Sequence, residues 1–208
     1  TEGRQVLFDT DTQSFQDMML MADEMATEFN IPKDDLLTGL LQISFHETGG
    51  SYDHKQIQDK GKPGQEGMGL FQFEYGKGQG GHTAINRLIN YNDKIGNNPS
   101  YLQNIPIAKG IKSNPDYRYY SGKDGFDATS FSPSEQYMLM MQDLTQDLRK
   151  DEVTDISNIP FEDLWINYHA IPDTSDVQDR RDVYQENMKV FNVQKTRDIL
   201  DQLLNYNP

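Results

Sequence analysis

Apolar residues recur at helical spacing along most of the chain. From Ser14 onward Phe15, Met18, Met19, Ala22, Met25, Ala26 and Phe29 fall three or four positions apart, which predicts an amphipathic helix ending near Asn30 with methionines filling the core. Ile31-Pro32-Lys33-Asp34-Asp35 predicts the start of a second helix, with proline tolerated in the first turn and acids placed at the positive end of the helix dipole. Along it Leu36, Leu40, Ile43, Ser44 and Glu47 share one stripe, so the Glu47 carboxyl inherits the face turned to the core. That is a costly place for a charge and a suitable one for a proton donor. Gly49 and Gly50 follow, and they are expected to break the helix and open space in front of the acid.

Residues 48–81 lose the helical period and carry glycines at 49, 50, 61, 64, 67, 69, 76, 78, 80 and 81, which predicts loop with a short hairpin. Within it Gly67-Met68-Gly69-Leu70-Phe71-Gln72-Phe73 reads as a strand whose glycines let the backbone approach a ligand. No helix start of the phosphate-loop kind follows, so nucleotide binding is rejected. Short helices are predicted over 82–91 and 101–111, separated by Gly96-Asn97-Asn98-Pro99. Between 114 and 131 the aromatics Tyr117, Tyr119, Tyr120, Phe126 and Phe131 are expected to pin a loop onto the core in preference to lining a sugar groove. Ser132-Pro133-Ser134-Glu135 has the pattern of a capping box, and the helix after it turns Met138, Met141, Leu144, Thr145 and Leu148 inward. In the last third Phe161, Leu164, Trp165 and Tyr168 share a predicted helical face, followed by Val183-Tyr184, Val190-Phe191, and Ile199, Leu200, Leu203 and Leu204. The chain shows no repeat or linker, so residues 1–208 are expected to form one mostly helical domain with a small β element.

Composition narrows the chemistry. The 208 residues include no cysteine, which excludes a disulfide framework and a thiolate zinc site. A net charge of −14 argues against nucleic-acid binding and against basic adhesion to membranes. No apolar run approaches the ~20 residues needed to span a bilayer, and no signal-peptide pattern precedes the first helix. A start at Thr1 is what a domain excised from a longer chain would show.

Three segments, Glu47-Thr48 at a helix end, Gly69-Leu70-Phe71-Gln72-Phe73, and Trp165-Ile166-Asn167-Tyr168-His169-Ala170, resemble in order and spacing the lysozyme-like soluble lytic transglycosylase family. The likeness spans about residues 15–192. It implies a lysozyme-like α+β fold, a helical bundle with a small β-hairpin lining a cleft, and action on peptidoglycan glycan strands without a cofactor or metal. By the same resemblance Glu47 matches the catalytic acid and base. Gln72 matches a substrate-contacting glutamine and Tyr168 a tyrosine that hydrogen-bonds near the acid, while Gly69, Phe71 and His169 join the substrate-binding set. Thr48 stands where the family usually has serine, His169 where it has asparagine and Ile171 where it has glycine; these departures bear on subsites. The compact size resembles bacteriophage wall-degrading domains, which implies a place at the bacterial cell wall, periplasmic, extracellular or virion-associated, within a larger virion or wall-targeting protein.

Three other readings compete. His46-Glu47-Thr48-Gly49-Gly50 also resembles family 19 chitinases and related endolysins, which invert and need a second carboxylate about 6.5–9.5 Å away to activate water. Glu66 is the candidate for it, ahead of Asp53 and Asp59. A zinc site built from His46, Glu47, His54 and His82 lacks the His-Glu-x-x-His spacing, and adjacent His46 and Glu47 point to different sides of a helix. Asp9 and Asp11 do not make a calcium loop, because Phe15 and Leu20 occupy positions that require oxygen ligands. The third reading is a wall-binding or virion structural module without catalysis, and the acid on an apolar stripe argues against it.

Overall fold

A computed structural model describes residues 6–58, 67–74, 128–170, 176–191 and 194–206. The short helices predicted over 82–91 and 101–111, most of the aromatic segment 114–131, and Asp59, Glu66 and His82 lie outside the described residues. What is described is mostly helical, with one small antiparallel sheet.

Helix α1 (Gln13–Glu28) begins where the Thr12 hydroxyl accepts the Phe15 amide, satisfying a donor that the first turn leaves unpaired. Its buried face holds Phe15, Met18, Met19, Met21, Ala22, Met25 and Ala26. Helix α2 (Lys33–Glu47) buries Leu36, Leu37, Leu40, Leu41, Ile43, Ser44 and Phe45, which is more than one stripe. It is covered on several sides because it packs against α1 and against three helices from the end of the chain. Helix α3 (Pro133–Lys150) starts with the predicted capping box: the Ser132 hydroxyl accepts the Glu135 amide, and the Glu135 carboxylate accepts the Ser132 amide in return. Met138, Met141, Leu144, Thr145 and Leu148 are all buried, and α3 lies along α1.

A short fourth helix, α4, has an α-helical turn at Phe161–Leu164 and continues as a π-helical turn over Trp165–Ala170. Gly39 lets it close onto α2, since a Cβ there would sit 2.2 Å from the Phe161 ring. Helices α5 (Val177–Met188) and α6 (Gln194–Leu204) follow. Tyr184, Phe191, Ile199 and Leu203 face the core from this region, whereas Val183, Val190 and Leu204 face solvent.

The segment predicted as one strand, Gly67 to Phe73, is a hairpin. Strands β1 (Ile57–Gln58), β2 (Gly67–Met68) and β3 (Phe73–Glu74) are antiparallel in that order, with Ile57 opposite Met68 and Met68 opposite Phe73. Between β2 and β3 the chain turns through Gly69 at φ +77° and Gln72 at φ +49°, both left-handed, and the Gln72 amide bonds the Gly69 carbonyl. A glutamine in that conformation carries a strain that sequence patterning does not signal.

Two-residue strands cannot hold a sheet by themselves. Gln136, fully buried on α3, does much of the holding. Its side-chain oxygen accepts the Leu70 amide at 2.8 Å, and its Nε2 donates to the carbonyls of Ala128, His54 and Phe131 at 2.8, 3.0 and 3.0 Å. One side chain therefore ties the hairpin, the segment before it and the entry to α3 to the core. We expect Gln136→Leu, close in volume but unable to bond, to cost at least about 3 kcal/mol by stranding buried main-chain groups. For a chain of this size that is a melting temperature lowered by roughly 6–12 °C, readable by thermal unfolding.

Candidate functional site

Glu47 is the last residue of α2, and the chain leaves the helix in a way that fixes it there. Gly49 (φ +59°) donates its amide to the His46 carbonyl at 3.3 Å, and Gly50 (φ +81°) donates to the Phe45 carbonyl at 2.8 Å. This is a Schellman cap, which requires a left-handed residue just past the helix end. The two glycines thus terminate α2 directly after the acid. The intervening Thr48 is buried, donating its hydroxyl to the Ser44 carbonyl at 2.7 Å and accepting the Tyr52 amide at 3.0 Å. One turn below Glu47 on the same stripe, the Ser44 hydroxyl is paired with Tyr137 of α3 at 2.7 Å.

The partners of the Glu47 carboxyl come from the π turn of α4. The Trp165 indole N–H donates to Glu47 Oε1 at 2.6 Å, and His169 Nε2 lies 3.7 Å from the same oxygen. His169 Nε2 is also 2.6 Å from the Phe71 carbonyl oxygen. A carbonyl only accepts, so this nitrogen bears a hydrogen. The Glu47 side chain keeps 16% of its surface accessible and that of His169 10%, a shelter that still leaves an approach from solvent. The widened turn matters for this placement. Trp165 and His169, four residues apart, meet at the acid, while the wider turn carries Tyr168 off the face that α-helical spacing predicts.

Behind the acid lies a stack of rings. Trp165 meets His46 edge-on at 4.4 Å between centroids and Tyr184 at 5.3 Å, and His46 and Tyr184 are 5.0 Å apart. Asn187 donates its amide to His46 Nδ1 at 3.0 Å. Burial pushes the His46 pKa below its ordinary value, with the Glu47 charge opposing and the Arg180 charge assisting the shift. Among the described residues the buried Tyr184 hydroxyl has no hydrogen-bond partner, and burial together with the Glu162 and Glu47 charges raises its pKa, so it stays neutral. A second row of rings, Tyr137, Phe71, Phe73 and His169, joins α3 to the site, with neighbouring centroids 4.9, 6.2 and 5.2 Å apart.

Of the residues expected to bind substrate, His169 stands beside Glu47. Phe71 is fully buried and reaches the site through its carbonyl. Gly69 lies under Gln136, where a Cβ would come within 2.3 Å of the amide oxygen. Gln72 is folded inward, its Nε2 donating to the Gly69 carbonyl at 2.7 Å while its buried Oε1 has no partner among the described residues. Tyr168 lies near Asp151, just past the end of α3. Burial, first, and the charges of Asp151 and Asp147 push its pKa up. Asp53 is exposed and binds the Lys55 amide. Among the described residues no group of three or more His, Asp or Glu gathers as a metal site. Sequence reasoning placed Trp165 on the core face and missed that its N–H holds the acid; the only available sign was its spacing of four from His169. Comparisons of the chain with protein-family models, curated proteins and solved structures give no match.

Two stability measurements follow. Tyr184→Phe removes a buried hydroxyl that has no partner among the described residues, so the melting temperature should hold or rise, and a clear fall would mean the hydroxyl is bonded. Burial disfavours the charged form of His46 in the folded chain, whereas in the unfolded chain it takes up a proton near its ordinary value of 6.5. Its contribution is therefore present above that value and lost as pH falls. Melting temperatures taken from about pH 7.5 to about pH 5 should decline less steeply in His46→Gln than in the wild type.

Proposed function

We propose that the protein is a peptidoglycan lytic transglycosylase of lysozyme-like type, with Glu47 as its acid and base. The observation that carries the reading is the meeting of the three segments on which the resemblance rests. The helix end with Glu47, the hairpin through the Phe71 carbonyl, and the 165–170 turn through Trp165 and His169 converge on one partly sheltered carboxyl. Segments so far apart in sequence have no local reason to converge there.

In the proposed reaction the Glu47 carboxylic acid protonates the β-1,4 glycosidic oxygen between N-acetylmuramic acid and N-acetylglucosamine, and the bond from C1 to that oxygen breaks. The resulting carboxylate then removes the proton of the muramic C6 hydroxyl, whose oxygen bonds to C1 and closes a 1,6-anhydro ring. The proton lent in the first step is recovered in the second. No water is activated, so one carboxyl suffices, in contrast to an inverting hydrolase with its two. Glu47→Gln should abolish clearing of purified peptidoglycan. Its melting temperature should hold or rise, since the amide oxygen still accepts the indole N–H. Lysis at the wild-type rate by this variant would sink the assignment. Mass spectrometry of digested muropeptides should show anhydro-muramic ends, whereas reducing ends, with activity lost in Glu66→Gln, would transfer the case to hydrolysis.

A further inference from the structure

We propose that the two oxygens of Glu47 have separate tasks: Oε1 is held by the Trp165 indole N–H acting as a positioning donor, and Oε2 carries the proton exchanged with substrate. The inference rests on the reading of Glu47 as acid and base given above. It starts from what surrounds Oε1. The indole nitrogen at 2.6 Å can only donate. His169 Nε2, at 3.7 Å, bears a hydrogen because it is bonded to the Phe71 carbonyl. A proton on Oε1 would face the indole N–H, so the protonated acid carries it on Oε2 and Oε1 remains an acceptor in both states. Among the described residues, the contacts that hold the carboxyl fall on Oε1.

Trp165 is equipped to position the acid. It is buried and set against His46 and Tyr184, so its N–H has one direction available. Tyr168, which the family pattern would put in this role, lies by Asp151. The exchange changes the chemistry. A tyrosine hydroxyl can accept as well as donate and so can share the proton, whereas an indole cannot. Through both half-reactions the proton leaves from and returns to Oε2, while Oε1 stays anchored.

Trp165 is the only tryptophan in the chain, so an indole labelled with heavy nitrogen gives a single resonance from the whole protein. The titratable or charged groups near it are Glu47 and His46 on α2, His169 on α4 and Tyr184 on α5, with Glu162 and Arg180 acting through Tyr184 and His46. We expect the indole proton resonance to move as Glu47 titrates, to keep that movement in His46→Gln, and to lose it in Glu47→Gln. Movement that survives in Glu47→Gln and disappears in His46→Gln, or no movement at all, overturns the assignment. In wall-lysis assays Trp165→Phe keeps a ring in the stack and removes the N–H. It should lower kcat at least about tenfold with KM changed less than about twofold, and shift the acid limb of the pH profile. An unmoved profile would reduce Trp165 to a packing residue. The resonance needs no substrate, so failure of Glu47→Gln to stop lysis would remove the proposed reaction while leaving the indole contact separately testable.

Discussion

A single buried amide carries the arrangement around the acid. Gln136 meets main-chain groups from residues 54, 70, 128 and 131, and without it a sheet of two-residue strands would have to stand on its ladder bonds alone. The groups it satisfies are inside the protein, where an unpaired amide or carbonyl costs far more than a bond gains in water. This asymmetry makes the side chain a constraint. The hairpin either sits against α3 in one register or leaves several buried groups without partners.

The hairpin in turn delivers the Phe71 carbonyl, and that carbonyl fixes the hydrogen on His169. The acid thus receives a defined pair of neighbours from a scaffold built elsewhere. α2 supplies the carboxyl and ends immediately beyond it, the π turn supplies the donors, and the ring stack of His46, Trp165 and Tyr184 keeps the indole in place. Because the carboxyl, hairpin and π turn come from separate parts of the chain, the geometry depends on α1, α4, α5 and α6 packing against α2 and on α3 packing against α1. A shift in that packing would be felt at the acid before the fold was lost.

The helices were legible because their signals are local. The Ser132 to Glu135 box, the apolar spacing of α1 and α3, and the stripe ending in Glu47 each act within a turn or two of the chain. The site was legible only in part, because its contacts are not local. Trp165 and Glu47 are 118 residues apart, and no periodicity reveals which polar atom a buried indole will find. The shared face predicted for Trp165 and Tyr168 assumed an α-helix, and the π turn separates their partners. Gly49 and Gly50 predict the helix break, which their positive φ angles turn into a cap, and a Cβ at Gly49 would meet open space. Nothing in the spacing around Gln136 signals its main-chain partners, which come from residues 54, 70, 128 and 131.

The two helices that meet at the α1–α3 seam bury Met18, Met19, Met21 and Met25 on one and Met138, Met140 and Met141 on the other. In a chain without cysteine, these thioethers are the main oxidisable sulfur of the interior. Closed packing shields them, and a sulfoxide formed there would put a polar group where the two longest described helices touch. Peroxide uptake at these positions is therefore a clock for how often that seam parts, and each uptake makes it harder for the seam to close again.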